Sequence, residues 1–154
     1  MNKIPWCLKQ KDGVSIIELK PHLSAAYMAE ADETLENVIV TKGKWKVILA
    51  YYACYNAFYS ILMKVGIKCE IHDCTIELMP LFGFGNEQVM FMKNLKQDRI
   101  NNQYYLKSIE LGDMHQISMF ILLCKRVLNE LSSEKIEEIR NNISIVAKNG
   151  STQG

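Results

Sequence analysis

Hydrophobic side chains recur at intervals of three and four residues along most of this chain, which is the spacing of an amphipathic helix. A clear stripe follows Asp113, with Ile117, Phe120 and Cys124 on one face. Short polar loops separate the stripes, and short connections favour antiparallel neighbours. We therefore expect an all-α fold, an antiparallel up-and-down helical bundle of about four to five helices. The predicted helices cover residues 25–38, 45–65, 74–78, 87–106, 114–131 and 134–147.

The beginning of the chain has a different pattern. Asp12-Gly13 separates an apolar run at 6–8 from a β-branched run at 14–19. An Asp-Gly pair between two apolar runs is typical of a hairpin, because both residues tolerate positive φ. We therefore expect a short N-terminal β-hairpin or extended arm. The predicted divisions are this arm at 1–22 and a bundle at 23–148, within one domain at 1–148, followed by a flexible tail at 149–154.

The predicted helix at 45–65 is apolar on nearly every side, so most of its surface must be covered. A small domain covers one helix fully if that helix is central, or if a second subunit completes the cover. We expect a homodimer that forms through the helix around Tyr51–Met63. The uncharged stretch at 47–63 is too short to span a bilayer and contains Asn56 and Ser60, which predicts a buried helix and no membrane partner.

Charge and cysteine content narrow the classes further. The formal net charge of +1 gives no global attraction to nucleic acid, so any such surface has to be local. The cysteine count is odd and no Cys-x-x-Cys occurs, which argues against a disulfide framework and for reduced thiols. The start of the chain has no apolar run of signal-peptide length. Together these features predict a cytoplasmic protein.

A run of alanine and tyrosine at 50–59, the turn Gly66-Ile67-Lys68 and the sequence His72-Asp73-Cys74-Thr75 follow one another in this chain. In this order they resemble the HEPN domains, which are small helical-bundle proteins. The resemblance implies a bundle that often dimerises. It also implies one of several functions: a metal-independent ribonuclease, a partner of a small nucleotidyltransferase, or a non-catalytic module that binds nucleotide or RNA.

The catalytic members of that family carry an arginine and, after about four to six intervening residues, a histidine that moves the ribose 2′-OH proton. Arg99 lies on the matching helix, but Tyr104 stands at an expected histidine position. A phenol is a poor base at neutral pH because it keeps its proton up to about pH 10. Arg99 and Tyr104 are the catalytic candidates, and the missing histidine weakens the ribonuclease interpretation.

The predicted helix at 87–106 carries a polar cluster, and Arg99 and Asn102 are neighbours on its surface because they are three residues apart. This cluster indicates a phosphate or nucleotide contact. The alternative is a solvated helix face on which Arg99 pairs with an acidic neighbour. The predicted ligand-binding residues are Arg99, Asn101, Asn102 and Tyr104.

Two other groups of residues have both a chemical and a structural interpretation. Lys42, Lys44 and Lys46 surround Trp45, which is a pattern that contacts phosphates and stacks a base, unless Trp45 is a core anchor. The segment 69–74 offers sulfur and imidazole ligands for zinc, but its spacing is not that of a common zinc motif. We expect no metal and no cofactor.

The predicted function is a HEPN-like dimeric module that binds nucleotide or RNA. The resemblance further implies a small nucleotidyltransferase partner in a toxin–antitoxin-like system. Two alternatives stay open, which are a metal-independent ribonuclease with a modified site and a purely structural interaction bundle.

Overall fold

The computed structural model describes residues 3–152 and confirms the all-α prediction. Seven α-helices and one pair of two-residue strands make up the regular structure of this part of the chain. A short 3₁₀ helix at Met79–Phe82 follows α4. The helices are α1 Ile4–Lys9, α2 Pro21–Val40, α3 Lys44–Val65, α4 His72–Glu77, α5 Asn86–Gln103, α6 Met114–Glu130 and α7 Ser133–Thr152, and the strands are β1 Ser15–Ile16 and β2 Ile67–Lys68.

Helix α3 is the centre of the bundle. It packs against α2, α5 and α6, and Ala50, Ala53 and Ala57 are fully buried where neighbouring helices approach. Within Tyr51–Met63, only Tyr52 and Asn56 are partly exposed. The same chain therefore covers the surface that the sequence assigned to a homodimer contact. The apolar excess of this helix is explained by its central position and does not require a second copy.

Two serines join α2 to α3 at close range. The Ser24 hydroxyl donates to the carbonyl oxygen of Ser60 at 2.7 Å, and the Ser60 hydroxyl donates to the carbonyl oxygen of Ser24 at 2.7 Å. Both side chains are buried. Each hydroxyl thus has a hydrogen-bond acceptor on the backbone of the other helix, as a buried polar group requires.

The prediction of an N-terminal hairpin is wrong. Residues 4–9 form a helix with Pro5 in its first turn, a position where the missing proline N–H costs nothing. Strand β1 then pairs antiparallel with β2, with Ser15 opposite Lys68 and Ile16 opposite Ile67. The turn at Asp12-Gly13 exists, but it directs the strand to a partner beyond α3 instead of to the preceding residues.

The expectation of reduced thiols is also wrong for two of the cysteines. Cys7 and Cys74 form a disulfide that ties α1 to α4, with their Cα atoms 5.8 Å apart. Cys54, Cys69 and Cys124 are free and buried. The pairing joins residues that are 67 positions apart, so the spacing of the cysteines did not reveal it. The cysteines therefore no longer support the predicted cytoplasmic location, and no helix within residues 3–152 has the length and apolarity of a membrane span.

The C-terminal end of α3 is held by an arginine from α7. Gly66 ends the helix in the left-handed conformation, with φ 76°. The Arg140 guanidinium donates from Nη1 to the carbonyl oxygens of Ile17, Val65 and Gly66 at 2.8, 3.0 and 3.1 Å. A side chain at position 66 would collide with that guanidinium, so glycine is required for the close approach as well as for the φ angle.

Several helix limits differ from the predicted ones. Helix α2 begins at Pro21, α5 ends at Gln103, and α7 continues to Thr152 through residues that the sequence assigned to a flexible tail. Proline at the first position suits a helix start because its fixed φ is already helical. The last two positions of the predicted tail, 153 and 154, lie outside the described residues.

Candidate functional site

The predicted polar cluster of α5 is divided in the structure. Arg99 and Asn102 point into the bundle and are buried, whereas Asn101 is partly exposed. Tyr104 follows the last turn of α5 with 66% of its surface exposed and takes no part in the contacts of Arg99. The four residues therefore do not form one site, and the proposed catalytic pair of Arg99 and Tyr104 is not assembled.

Arg99 is enclosed by tyrosines of α3. Its guanidinium carbon lies 4.8 Å from the centre of the Tyr51 ring and 5.5 Å from the centre of the Tyr52 ring. Its Nη1 donates to the Tyr52 hydroxyl at 2.8 Å, and its buried Nε has no hydrogen-bond partner. Aromatic faces attract a guanidinium, because the ring quadrupole is negative above the plane.

No carboxylate neutralises this buried cation. Arg99 has 8% of its surface exposed, and within residues 3–152 no Asp or Glu oxygen lies within 4.0 Å of its guanidinium nitrogens. The sequence alternative of an Arg99 ion pair on a solvated face is therefore wrong. A buried charge without a counter-ion is costly, and an anion that enters beside it recovers much of that cost.

His72, at the start of α4, adjoins the same tyrosines. Its Nδ1 and the Tyr51 hydroxyl share a hydrogen bond of 2.7 Å, and its ring stacks on Tyr55 with the centres 4.2 Å apart. Burial, together with the positive charges of Arg99 and Lys96, lowers the pKa of His72 from 6.5 to about 4. The imidazole is therefore neutral near pH 7, and it lies in a region of positive potential.

An ion pair and a small cavity lie next to this cluster. Lys96 donates to an Asp73 carboxylate oxygen at 2.6 Å, and this hydrogen bond is the main reason that the pKa of Asp73 lies below its usual value. Both residues line a cavity of about 240 Å³, together with Lys93 and Gln97. The cavity adjoins the cluster through Asp73, the residue that follows His72.

Asn102 has a structural role that the sequence did not suggest. Its Nδ2 donates to the carbonyl oxygen of Asp98 at 2.8 Å, and its Oδ1 accepts from the Ile109 amide at 3.3 Å. The Lys107 amide donates to the carbonyl oxygen of Asn101 at 3.0 Å. These contacts fold the segment after α5 back onto the helix, which explains why Asn102 is buried.

A zinc site at residues 69–74 is not compatible with the structure, because one of its candidate sulfur ligands is in a disulfide. Cys74 is bonded to Cys7, and the Cys69 thiol donates to the carbonyl oxygen of Ile71 at 3.4 Å. Residues 3–152 contain no group of three or more His, Cys, Asp or Glu side chains arranged to hold a metal ion.

Trp45 is exposed, which overturns the alternative that it anchors the core. It shows 54% of its surface in the first turn of α3, and the Lys44 Nζ lies 5.6 Å from the centre of its ring. Lys42, Lys44 and Lys46 line a groove of about 630 Å³ together with Lys107. This basic surface lies toward the N-terminal end of α3 and does not include Arg99.

The sequence interpretation missed the association of Arg99 with His72. It assigned the helix around Tyr51–Met63 to a dimer contact and considered residues 69–74 as zinc ligands. One available signal was the four-residue spacing of Tyr51 and Tyr55, which places both on one face of α3. The position of His72 opposite that face depends on the turn at 66–71, which carries no such periodicity.

No protein-family model, curated protein or solved structure matches this chain. The HEPN resemblance therefore stays a prediction from the motifs of the sequence.

Proposed function

We propose that this protein binds a nucleotide or RNA through a phosphate group that sits beside Arg99. The observation that carries the proposal is the buried guanidinium with no carboxylate partner and an unsatisfied Nε. A phosphate supplies both the negative charge and the acceptor oxygens that this arginine lacks, and arginine–phosphate hydrogen bonds are among the stronger ones in proteins.

The surroundings of Arg99 are compatible with such a ligand. Tyr52 and His72 are partly exposed, so the cluster reaches the surface between them. Lys96 and Lys93 line the adjoining cavity, where each is paired with a carboxylate that a phosphate could replace, Asp73 at 2.6 Å and Glu77 at 3.5 Å. These two partly exposed rings are the kind of surface on which a base or ribose packs.

Binding assays with an Arg99 variant test the proposal. We would titrate the purified protein with ATP and with a fluorescein-labelled single-stranded RNA, and repeat both titrations with Arg99→Gln. Loss of a charge-assisted contact is expected to weaken binding about tenfold or more. Arg126→Gln is the matched control, because Arg126 is an exposed arginine on α6. Equal affinities for wild type and Arg99→Gln would contradict the proposal.

One observation favours the ribonuclease as a second candidate. The family motif places its histidine on the same helix as the arginine, whereas here His72 comes from another helix and contacts the same tyrosine, Tyr51, as Arg99 does. A neutral imidazole can accept the ribose 2′-OH proton as the 2′-oxygen attacks phosphorus, and the 5′-oxygen leaves with a proton taken from water. Arg99 would stabilise the charge that develops on the phosphate.

Cleavage assays separate the two candidates. A ribonuclease that uses this site leaves a 2′,3′-cyclic phosphate in the presence of a chelator, and both His72→Gln and Arg99→Gln abolish that product. A binding module gives no product, although Arg99→Gln still weakens binding. Cleavage that survives in both variants would assign the activity to another site or to a contaminant.

The partners implied by the resemblance stay predictions. These are a second copy of the chain and a small nucleotidyltransferase in a toxin–antitoxin-like system. Light scattering after size exclusion measures the first, and co-purification with the product of an adjacent gene measures the second. A chain that binds neither nucleotide nor RNA in the assays above would support the structural bundle instead.

A further inference from the structure

One end of the bundle exposes a concentration of apolar side chains. It is formed by residues 39–46, where α2 passes into α3, and by residues 104–107, which follow α5; we call it the lysine end. The two segments meet in one groove, because residues 41–44 line it together with residues 106 and 107. The most exposed of its apolar side chains are Val40 at 76%, Leu106 at 72% and Ile39 at 63%.

This concentration is uneven over the surface. Residues 3–152 have thirteen exposed large hydrophobic side chains, and six of them belong to the lysine end. Trp45, Tyr104 and Tyr105 complete the six. Single exposed apolar residues are ordinary on a soluble domain, whereas a cluster ringed by polar residues marks an interaction surface.

The charges at this end have one dominant sign. The groove is lined by Lys42, Lys44, Lys46 and Lys107, with Glu110 as its only carboxylate. None of the four lysines has an acidic partner within 4.0 Å in the described part of the chain. The surface therefore carries net positive charge that is available to an external anion.

We propose that the lysine end docks on a membrane surface that contains anionic lipid. The lysines pair with lipid phosphates, and the tryptophan and tyrosines take the headgroup level that such rings prefer. Ile39, Val40 and Leu106 enter the acyl boundary, where burial of aliphatic surface stabilises the docked state. These aliphatic side chains favour a lipid surface over RNA. Surfaces that bind single-stranded RNA use lysines and aromatic rings and do not require exposed aliphatic side chains.

The sequence predicted no membrane partner because the uncharged stretch at 47–63 is too short to span a bilayer, and peripheral docking needs no span. Docking uses none of the side chains that contact Arg99. Tyr51 and Tyr52 follow Lys44 by two helical turns, which places them about 11 Å further along α3. Peripheral elements enter the headgroup and acyl boundary by only about 5–10 Å. The proposal is therefore independent of nucleotide binding at Arg99.

Vesicle sedimentation tests the proposal. We would compare vesicles of phosphatidylcholine alone with vesicles in which about one-third of the lipid is phosphatidylglycerol. Three variants are compared with wild type: Ile39→Ser with Val40→Ser, Lys42→Gln with Lys44→Gln, and the control Leu122→Ser with Lys11→Gln. Leu122 is an exposed apolar residue on α6 and Lys11 an exposed lysine near α1, so the control removes similar groups elsewhere. Thermal unfolding confirms that each variant is folded.

We expect wild type and the control variant to sediment with the anionic vesicles and to stay in solution with neutral ones. The lysine variant is expected to lose about fivefold in affinity per lysine, and the aliphatic variant about tenfold. Absence of wild-type binding, equal binding to both vesicles, or full binding by the aliphatic variant would overturn the proposal. The same titrations with single-stranded RNA give a further outcome. RNA binding that the lysine variant loses and the aliphatic variant keeps, without vesicle binding, would identify an RNA surface and also overturn the proposal.

Discussion

The Tyr51 hydroxyl and the Nδ1 of His72 share a hydrogen bond of 2.7 Å, although the two residues are 21 positions apart. Arg99 lies over the ring of the same tyrosine. One side chain of the central helix therefore contacts a neutral imidazole and an uncompensated guanidinium. The stability of this cluster should therefore depend on the protonation of His72 and on the charge of Arg99. It should also depend on the Cys7–Cys74 disulfide, which ties α4 to α1.

The first prediction concerns the pH dependence of stability. The pKa of His72 is about 4 in the folded protein, below its usual value of 6.5. Between these two values the unfolded chain binds a proton that the folded chain does not, so protonation favours unfolding. We expect the free energy of unfolding to fall as the pH falls from about 6.5 to about 4. Urea unfolding at a series of pH values measures it.

Two variants isolate the contribution of His72 from that of the other titratable groups. His72→Gln keeps a hydrogen-bonding side chain and should give a flatter profile in that window. His115→Gln, at an exposed position of α6, should keep the wild-type profile. An identical slope for wild type and His72→Gln would show that this imidazole is solvated in solution.

The second prediction separates ligand binding from stability at Arg99. Arg99→Met fills a similar volume without the charge, and replacement of a buried charge by an apolar side chain is often neutral for stability. We expect the free energy of unfolding to stay within about 1 kcal/mol of wild type while phosphate-dependent binding is lost. A loss of about 3 kcal/mol with unchanged binding would make Arg99 a structural residue. Urea unfolding and RNA titration give the two values.

The third prediction concerns the disulfide between Cys7 and Cys74. Its closure spans 67 positions of the chain, and by the chain-entropy relation a loop of that size stabilises the folded state by about 4 kcal/mol. We expect a reducing agent, or Cys7→Ser, to lower the free energy of unfolding by that order. Thiol titration of the denatured protein should find three reactive cysteines before reduction and five afterwards.

The matched control for the disulfide is Cys69→Ser, because Cys69 is free. A reducing agent should destabilise that variant as much as wild type. Five reactive thiols without reduction would show that the bond does not form in solution, and would restore the cytoplasmic interpretation of the cysteines.

The fourth prediction concerns Arg140, which donates to three carbonyl oxygens where α3 ends. Arg140→Met leaves these acceptors without their charged donor, so we expect a loss of about 2 kcal/mol in the free energy of unfolding. The backbone amide of Ile17 donates to Gly66 at 2.8 Å beside this arginine. In Arg140→Met, the hydrogen exchange of the Ile17 amide should therefore be faster than in wild type. Arg126→Met, an exposed control on α6, should leave both values unchanged; equal effects would remove the special role of Arg140.

The helical architecture followed from local patterns. Periodic apolar positions and the absence of charge in the middle of α3 were enough to predict an all-α bundle and one helix that is covered on nearly every side, since both depend on residues within a few turns of each other. The choice between cover by the same chain and cover by a second one depended on how α2, α5 and α6 pack. That is a tertiary property which periodicity does not contain.

The contacts that escaped prediction join residues far apart in sequence. Cys7 pairs with Cys74, and β1 pairs with β2, across the whole of α2 and α3. Arg99 adjoins His72 only because α4 and α5 pack on the same face of α3. A motif with a histidine at a fixed distance from Arg99 on one helix does not describe a partner that the fold brings from another helix.

The pairing of Cys7 and β1 with residues 67–74 sets the order in which the chain can become structured during synthesis. Strand β1 and Cys7 leave the ribosome before β2 and Cys74 are synthesised. They therefore remain unpaired while α2 and α3 are made. The α2–α3 hairpin can form first, because its helices are consecutive in the chain and Ser24 and Ser60 hydrogen-bond between them. The N-terminal segment is therefore a late-docking element, and its cysteine is exposed to oxidants and to other thiols until Cys74 arrives.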